Sequence, residues 1–169
     1  MILLKALITG SFDPLTLGHY YLIKKAAEIF DEVFVAVLNN CDKTPLFSLE
    51  QRTDIVSCCF SNDSKIIVLN HDGLLSDLYC KYKIDVLVRG LRNINDYIYE
   101  NDLATIYNQI DSRIHTLFLP SDPRYSHISS SYVRESLKYN LELTNVLPMN
   151  IIELVKRMYK DTIGRGELK

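Results

Sequence analysis

Five short runs of aliphatic and β-branched residues, separated by stretches of helical periodicity, constrain this chain most. Ile2–Thr9, Val33–Leu38, Ile66–Leu69, Asp85–Val88 and Thr116–Leu119 are mostly continuous rather than alternating in hydrophobicity. A strand with one face in water alternates, whereas a continuous run needs cover on both faces. Strand-helix alternation supplies that cover and allows parallel pairing through right-handed crossovers. The expected fold is therefore α/β: a Rossmann-like, open, parallel five-stranded sheet with helices on both faces. In such sheets ligands sit beyond the carboxyl ends of the strands, near the point where strand order reverses.

The intervening segments carry helix signals. His19, Leu22, Ile23, Ala26, Ala27 and Phe30 form one stripe, with Tyr20, Lys24, Lys25 and Glu28 elsewhere around the helix. Ser48-Leu49-Glu50-Gln51 is a capping box that opens a second helix. A third helix is predicted over Leu74–Tyr82. A fourth opens near Asn93–Asp96, with an apolar stripe of Tyr99, Leu103, Ile106, Tyr107 and Ile110. A fifth opens at Ser129-Ser130-Ser131, and a last one follows Pro148. No repeat or Pro/Gly/Ser linker divides the chain, so residues 1–161 read as a single domain. Residues 162–169, polar and with two glycines, read as a loose tail.

Composition narrows the function classes. The chain of 169 residues is 47% hydrophobic and 24% charged, with a formal net charge of −2. A nucleic-acid binder would show a basic stripe, so no nucleic-acid partner is expected. No apolar run is long enough to span a bilayer, so no membrane partner is expected either. Met1–Thr9 is broken by Lys5 and enters a turn motif, which suits a buried first strand better than a signal peptide. Cys41, Cys58, Cys59 and Cys80 include no CxxC pair, which argues against a zinc cage or a disulfide framework and fits thiols of a reducing cytoplasm.

Three motifs fall at the predicted carboxyl edge of the sheet. In Thr9-Gly10-Ser11-Phe12-Asp13-Pro14-Leu15-Thr16-Leu17-Gly18-His19 a strand ends, a glycine frees the backbone and a helix begins. Backbone N–H groups at such a turn attract anions. A lone histidine on an apolar stripe is more often a core residue; the adjoining Gly18 and the Gly10–Pro14 turn favour a functional one. Asp85-Val86-Leu87-Val88-Arg89-Gly90-Leu91-Arg92 delivers two guanidiniums at a strand end, where they suit phosphate oxygens; ion pairing with Asp96 or Glu100 is the plainer alternative. Tyr125-Ser126-His127-Ile128-Ser129-Ser130-Ser131-Tyr132-Val133-Arg134-Glu135 puts serines at a helix N-terminus, where they cap and can also bind phosphate.

These strings resemble a known family. Thr16-x-Gly18-His19 is similar to the (H/T)xGH signature of the nucleotidyltransferase superfamily. Thr9–His19, Lys43–Arg52, Arg89–Arg92 and Ile128–Glu135 together resemble the bacterial phosphopantetheine adenylyltransferases along almost the whole chain. Two positions depart from the family pattern: His127 stands where an aromatic is common, and Ser121–Arg124 is one residue longer.

The resemblance implies reversible transfer of the adenylyl group of ATP to 4′-phosphopantetheine, giving dephospho-coenzyme A and pyrophosphate. It implies His19 and Lys43 as catalytic residues. It assigns Ser11, Phe12, His19, Gly90, Leu91, Arg92, Glu100, Tyr125, Ser126, His127, Ile128, Ser129, Ser130 and Ser131 to ATP, and Ser11, Lys43, Leu75 and Arg89 to the acceptor. Mg²⁺ would come with ATP, with no dedicated protein ligands. A cytoplasmic homohexamer and coenzyme A as a feedback ligand are further implications. An adenylyl- or cytidylyltransferase acting on another phosphate acceptor, or a nucleotide-binding module without catalysis, are the competing expectations.

Overall fold

A computed structural model of the chain describes residues 3–39 and 44–166. Five parallel strands form one sheet: β1 (Lys5–Gly10), β2 (Glu32–Leu38), β3 (Ile66–His71), β4 (Val86–Leu91) and β5 (Thr116–Pro120), in the order β3-β2-β1-β4-β5. The chain builds outward from β1 to β3, crosses back to lay β4 on the other side of β1, and ends at β5. Strand order therefore reverses between β1 and β4, and their carboxyl ends diverge into a crevice.

Strand side chains alternate between two apolar clusters, as a period of two demands. Ala6, Ile8, Val33, Val35, Val37 and Val88 face one way. They meet Ile23, Ala26 and Ala27 of α1 (Leu17–Ile29), Ile55 and Val56 of α2 (Leu49–Cys59), Val133 and Leu137 of α5 (Ser130–Lys138), and Val155 of α6 (Ile152–Gly166). Leu7, Phe34, Ala36 and Leu87 face the other way, against Leu78 and Tyr79 of α3 (Leu75–Tyr82). Burial on both faces is the physical reason the central strands β1, β2 and β4 lack alternation in the sequence. The fold is the α/β sheet with helices on both faces that the pattern predicts.

Local signals set the helix boundaries. Ser48 and Gln51 form the expected capping box, with Ser48 N–H donating to Gln51 Oε1 at 2.9 Å and Gln51 N–H to Ser48 Oγ at 3.2 Å. Asn93 caps α4 (Ile94–Ile110) and Ser129 caps α5.

Two expectations need correction. The apolar stripe predicted for α4 is not a core face: the helix buries no residue fully, and Tyr99, Ile106 and Ile110 are exposed, leaving Leu103 and Tyr107 half-buried. Helical periodicity reports that a helix is amphipathic, not what it packs against. Likewise, α6 continues through Thr162 to Gly166, into the segment expected to be a loose tail; polarity there marks solvent exposure of a helix rather than its end.

Candidate functional site

The crevice between β1 and β4 encloses about 640 Å³. Its walls are the turn after β1 (Gly10, Ser11, Phe12), the first turn of α1 (Thr16, Gly18, His19), the end of β4 (Arg89, Gly90, Arg92), Glu100 of α4, and Tyr125, Ile128, Ser129 and Ser130 before and at the start of α5. Two helices thus open on one cavity by their N-termini, where free N–H groups and the helix dipoles favour anions.

The turn after β1 is held by its own side chains and by others that reach it from two helices. Phe12 has φ 46°, in the left-handed region that an L residue occupies only when its surroundings hold it there. Its ring lies beneath Gly10, where an added Cβ would come within 2.9 Å of Phe12 Cζ, so this position requires glycine. Arg52 of α2 donates from Nη1 to the Ser11 carbonyl and to the Leu38 carbonyl, each at 2.8 Å, from Nε to Phe47 O at 3.1 Å and from Nη2 to Asn39 Oδ1 at 2.6 Å. The buried Asp13 carboxylate accepts the Leu46 and Phe47 amides, both at 2.9 Å. Arg134 Nη1 donates to the Asp13 carbonyl at 2.7 Å, and Ser130 Oγ to the Pro14 carbonyl at 2.9 Å. The turn is thereby fixed to α2 on one side and to α5 on the other.

His19 is the third residue of α1, and its ring completes a capping box. Thr16 N–H donates to His19 Nδ1 at 3.1 Å, while His19 N–H points to Thr16 Oγ1 at 3.4 Å. An amide can only donate, so Nδ1 must hold a lone pair and the proton of the neutral ring sits on Nε2. Phe12 packs edge-on against the ring, centroids 5.2 Å apart. Burial first, then the positive fields of Arg92 and Arg89, lower the imidazole pKa to about 4. In the free protein at neutral pH the residue is an uncharged Nε2–H donor.

The two arginines are paired, as the plainer reading of the sequence had it, but the pairs lie in the cavity wall. Arg89 Nε and Nη2 each reach Glu100 at 2.6 Å, and Nη1 donates to Thr9 O at 3.1 Å and Thr9 Oγ1 at 3.0 Å. Burial opposes the Arg89 charge, but the Glu100 fork outweighs it and the pKa is raised. Arg92 reaches Asp96 from Nε at 2.8 Å and Nη2 at 3.0 Å, at the more open end. Hydrogen bonding to Asp96 raises its pKa. Both cations are preoriented by carboxylates and can share donors with an incoming anion.

Not every expected residue meets the cavity. Leu75 packs against the second apolar cluster, beside Leu78 and Tyr79. Ser126 Oγ donates to the Pro123 carbonyl at 3.0 Å, and Ser131 Oγ accepts from Arg134 at 3.0 Å. Leu91, Ser126, His127 and Ser131 flank lining residues without lining the cavity themselves. Lys43 lies outside the described residues. Conversely, Asn39, Asp96 and Tyr99 line the cavity without having been singled out as site residues, and Arg52, Asp13 and Arg134 shape it from behind. A charged residue in an unmarked helix gives no sign in the sequence that it will turn inward.

A cavity at the switch point of a parallel sheet, walled by two helix N-termini, an uncharged imidazole N–H and two guanidiniums, marks an α/β protein whose switch-point crevice suits an anionic ligand. Comparison with known proteins agrees. Residues 7–136 match the cytidylyltransferase-like family. A phosphopantetheine adenylyltransferase of Clostridium perfringens is 38% identical over 157 residues, covering 93% of this chain and 96% of the relative. One from Limosilactobacillus reuteri is 40% identical over 152 residues, covering 90% and 88%. Among solved structures, one from Vibrio parahaemolyticus assigned as a nicotinate-nucleotide adenylyltransferase superposes with a TM-score of 0.69 at 17% identity, covering 95% of this chain and 97% of that one. That likeness concerns the fold alone. The chain belongs to the cytidylyltransferase-like family and, within it, to the phosphopantetheine adenylyltransferases.

Proposed function

We propose that the chain transfers the adenylyl group of ATP reversibly to 4′-phosphopantetheine, forming dephospho-coenzyme A and pyrophosphate. The observation that supports this most is the meeting, in one cavity, of the β1 turn, the His19 Nε2–H and the α5 N-terminus with the Arg89 and Arg92 guanidiniums. An anionic oxygen of the acceptor phosphate attacks the α-phosphorus, and the bond from that phosphorus to the bridging oxygen of the leaving pyrophosphate breaks. The attacking oxygen is already ionised, so no side chain has to remove a proton. Positioning and charge stabilisation supply the rate.

In this reading His19 donates to an α-phosphate oxygen as charge builds on it. Ser129 and Ser130 at the start of α5, with Arg92, hold the β- and γ-phosphates, and Lys43 and Arg89 hold the acceptor phosphate. Ser11, Phe12, Gly90, Leu91, Glu100 and the Tyr125–Ser131 segment complete the ATP side, and Leu75 the far end of the acceptor. The carboxylates at the cavity, Asp96 and Glu100, are both committed to arginines. No group of three or more His, Cys, Asp or Glu among the described residues would cage a metal. These residues fit a Mg²⁺ carried on the triphosphate and its waters, where it would neutralise charge on the leaving pyrophosphate.

Assembly as a homohexamer is part of the proposal. Ile94, Ile98, Ile106 and Ile110 of α4 are 68%, 57%, 47% and 58% exposed, apolar surface that a subunit contact would cover. Coenzyme A, which shares the acceptor's pantetheine arm, would act as a feedback ligand. None of the described helices is long and apolar enough to cross a membrane, in keeping with a cytoplasmic enzyme.

The test is turnover of ATP with 4′-phosphopantetheine, with the product identified by mass and pyrophosphate release coupled to a colour reaction. The expected result is dephospho-coenzyme A, with His19→Ala losing at least about 100-fold in kcat, the scale of removing one transition-state donor. ATP binding without pyrophosphate release, for any phosphate acceptor, would sink the proposal.

A further inference from the structure

The segment between β5 and α5 raises a question that the proposed chemistry leaves open: what holds it. It carries Tyr125, Ile128, Ser129 and Ser130 into the cavity. Its conformation is a 3₁₀ turn over Pro123–Tyr125, capped by Asp122, whose side chain accepts the Arg124 amide at 2.9 Å.

We propose that Tyr21 of α1 is a positioning residue for this segment, setting where the α5 N-terminus and its serines meet ATP. The inference rests on the reading of Tyr125–Ser131 as the ATP side of the site.

Four observations carry it. The rings of Tyr21 and Tyr125 stack face to face, centroids 4.4 Å apart and planes 10° from parallel. Arg124 lies over both rings, 5.7 Å from the Tyr21 centroid and 5.3 Å from that of Tyr125. Asp122 fixes that guanidinium at 2.6 Å. Gly18, one turn earlier on the same helix, lies where a Cβ would be 3.5 Å from the Tyr125 carbonyl, and Lys25, one turn later, donates to the Pro120 carbonyl at 3.4 Å. One face of α1 therefore grips the segment along its length, and the tyrosine stack is the centre of the grip. From Tyr125 the position passes directly to the cavity: the Tyr125 carbonyl accepts the Ile128 amide at 3.0 Å, and Ser129 and Ser130 follow.

Tyr21 itself does not line the cavity, so its effect must pass through Tyr125. An aromatic stack contributes about 0.5–1.5 kcal/mol beyond burial, which corresponds to roughly 2- to 10-fold in an equilibrium constant. Tyr21→Leu loses the stack; Tyr21→Phe keeps it. The expected result is a Kd and KM for ATP about 5-fold higher in Tyr21→Leu, an acceptor KM within about 2-fold of wild type, and near wild-type values throughout for Tyr21→Phe.

The measurement is calorimetric titration with Mg-ATP plus steady-state kinetics, at a temperature where thermal melts show each variant folded. Unchanged ATP affinity in folded Tyr21→Leu overturns the proposal, as does an equal rise in both substrates' KM, which would indicate general loosening. If Tyr21→Leu does not fold, the exposed Arg124→Ala substitution decides: about 2-fold weaker ATP binding supports the grip, and no change overturns it. A wild-type protein that binds no ATP would overturn the reading of the site itself, a result distinct from any of these.

Discussion

Protonation of His19 should cost this fold stability in a pH window set by its burial and by the two neighbouring arginines. In the unfolded chain a histidine titrates near its ordinary pKa of about 6.5. In the folded protein burial and the two neighbouring arginines lower it to about 4. Between these values the unfolded state binds a proton that the native state does not. Stability is therefore complete above about pH 6.5 and is lost as pH falls toward 4, the sign for a depressed basic group. Protonation would also turn Nδ1 from an acceptor into a donor facing the Thr16 amide. With these two pKa values the loss is about 2 kcal/mol at pH 5 relative to pH 8, approaching about 3 kcal/mol at pH 4.

The comparison that isolates this effect is His19→Gln. Glutamine is an ordinary third residue of a capping box and can accept the Thr16 amide without titrating. Urea unfolding followed by circular dichroism at pH 5 and pH 8, at one protein concentration, gives the difference of differences. With a slope near 2 kcal/mol per molar, the wild-type midpoint should fall by about 1 M more than that of His19→Gln. Parallel pH dependences in the two proteins would refute the depressed pKa.

Two further substitutions test the walls of the cavity. Asp13→Ala removes the acceptor of the Leu46 and Phe47 amides in a buried place; at about 1.5–3 kcal/mol for each hydrogen bond to a charged group, the loss should exceed about 3 kcal/mol, and a fall below about 1 kcal/mol by urea midpoint would contradict it. Gly90→Ala would place a Cβ 2.8 Å from Leu22 Cδ2 and 3.3 Å from Ser121 Oγ; Leu22 must move, at a cost of about 1–3 kcal/mol, and because Leu22 also lines the cavity the KM for ATP should rise, whereas wild-type stability and KM would show that the approach is not tight.

The sheet and most helix starts were legible because their signals are local. Continuous β-branched runs lack alternation when both faces are covered, and Ser48–Gln51 carries its own cap wherever it packs. The residues that shape the cavity from behind were less legible, for a physical reason. Arg52 is a charged residue on a helix whose pattern says nothing unusual, yet it is 1% exposed and ties the ends of β1 and β2 to the approach to α2. Asp13 is likewise buried at 5% because it serves two amides from a loop more than thirty residues away. Such partnerships are long-range, and a single sequence does not display them. The α4 stripe failed in the opposite sense: its spacing is helical, but only Leu103 and Tyr107 of it are half-buried, at the cavity wall, and Tyr99, Ile106 and Ile110 stay exposed.

One signal was present and local. Thr16-Leu17-Gly18-His19 has the spacing of a capping box, with a ring nitrogen in the place usually taken by a Glu or Gln oxygen. Its significance lies in joining folding to chemistry. A glutamine there would cap the helix equally well but would present no second donor fixed at the far side of a rigid ring. With histidine, the amide that needs a partner to start α1 also dictates which nitrogen keeps the proton, and it leaves Nε2–H as the group free to meet an anion. Burial first, and then the neighbouring arginines, keep that imidazole neutral. The same contact that begins the helix therefore orients the residue proposed to stabilise the transition state.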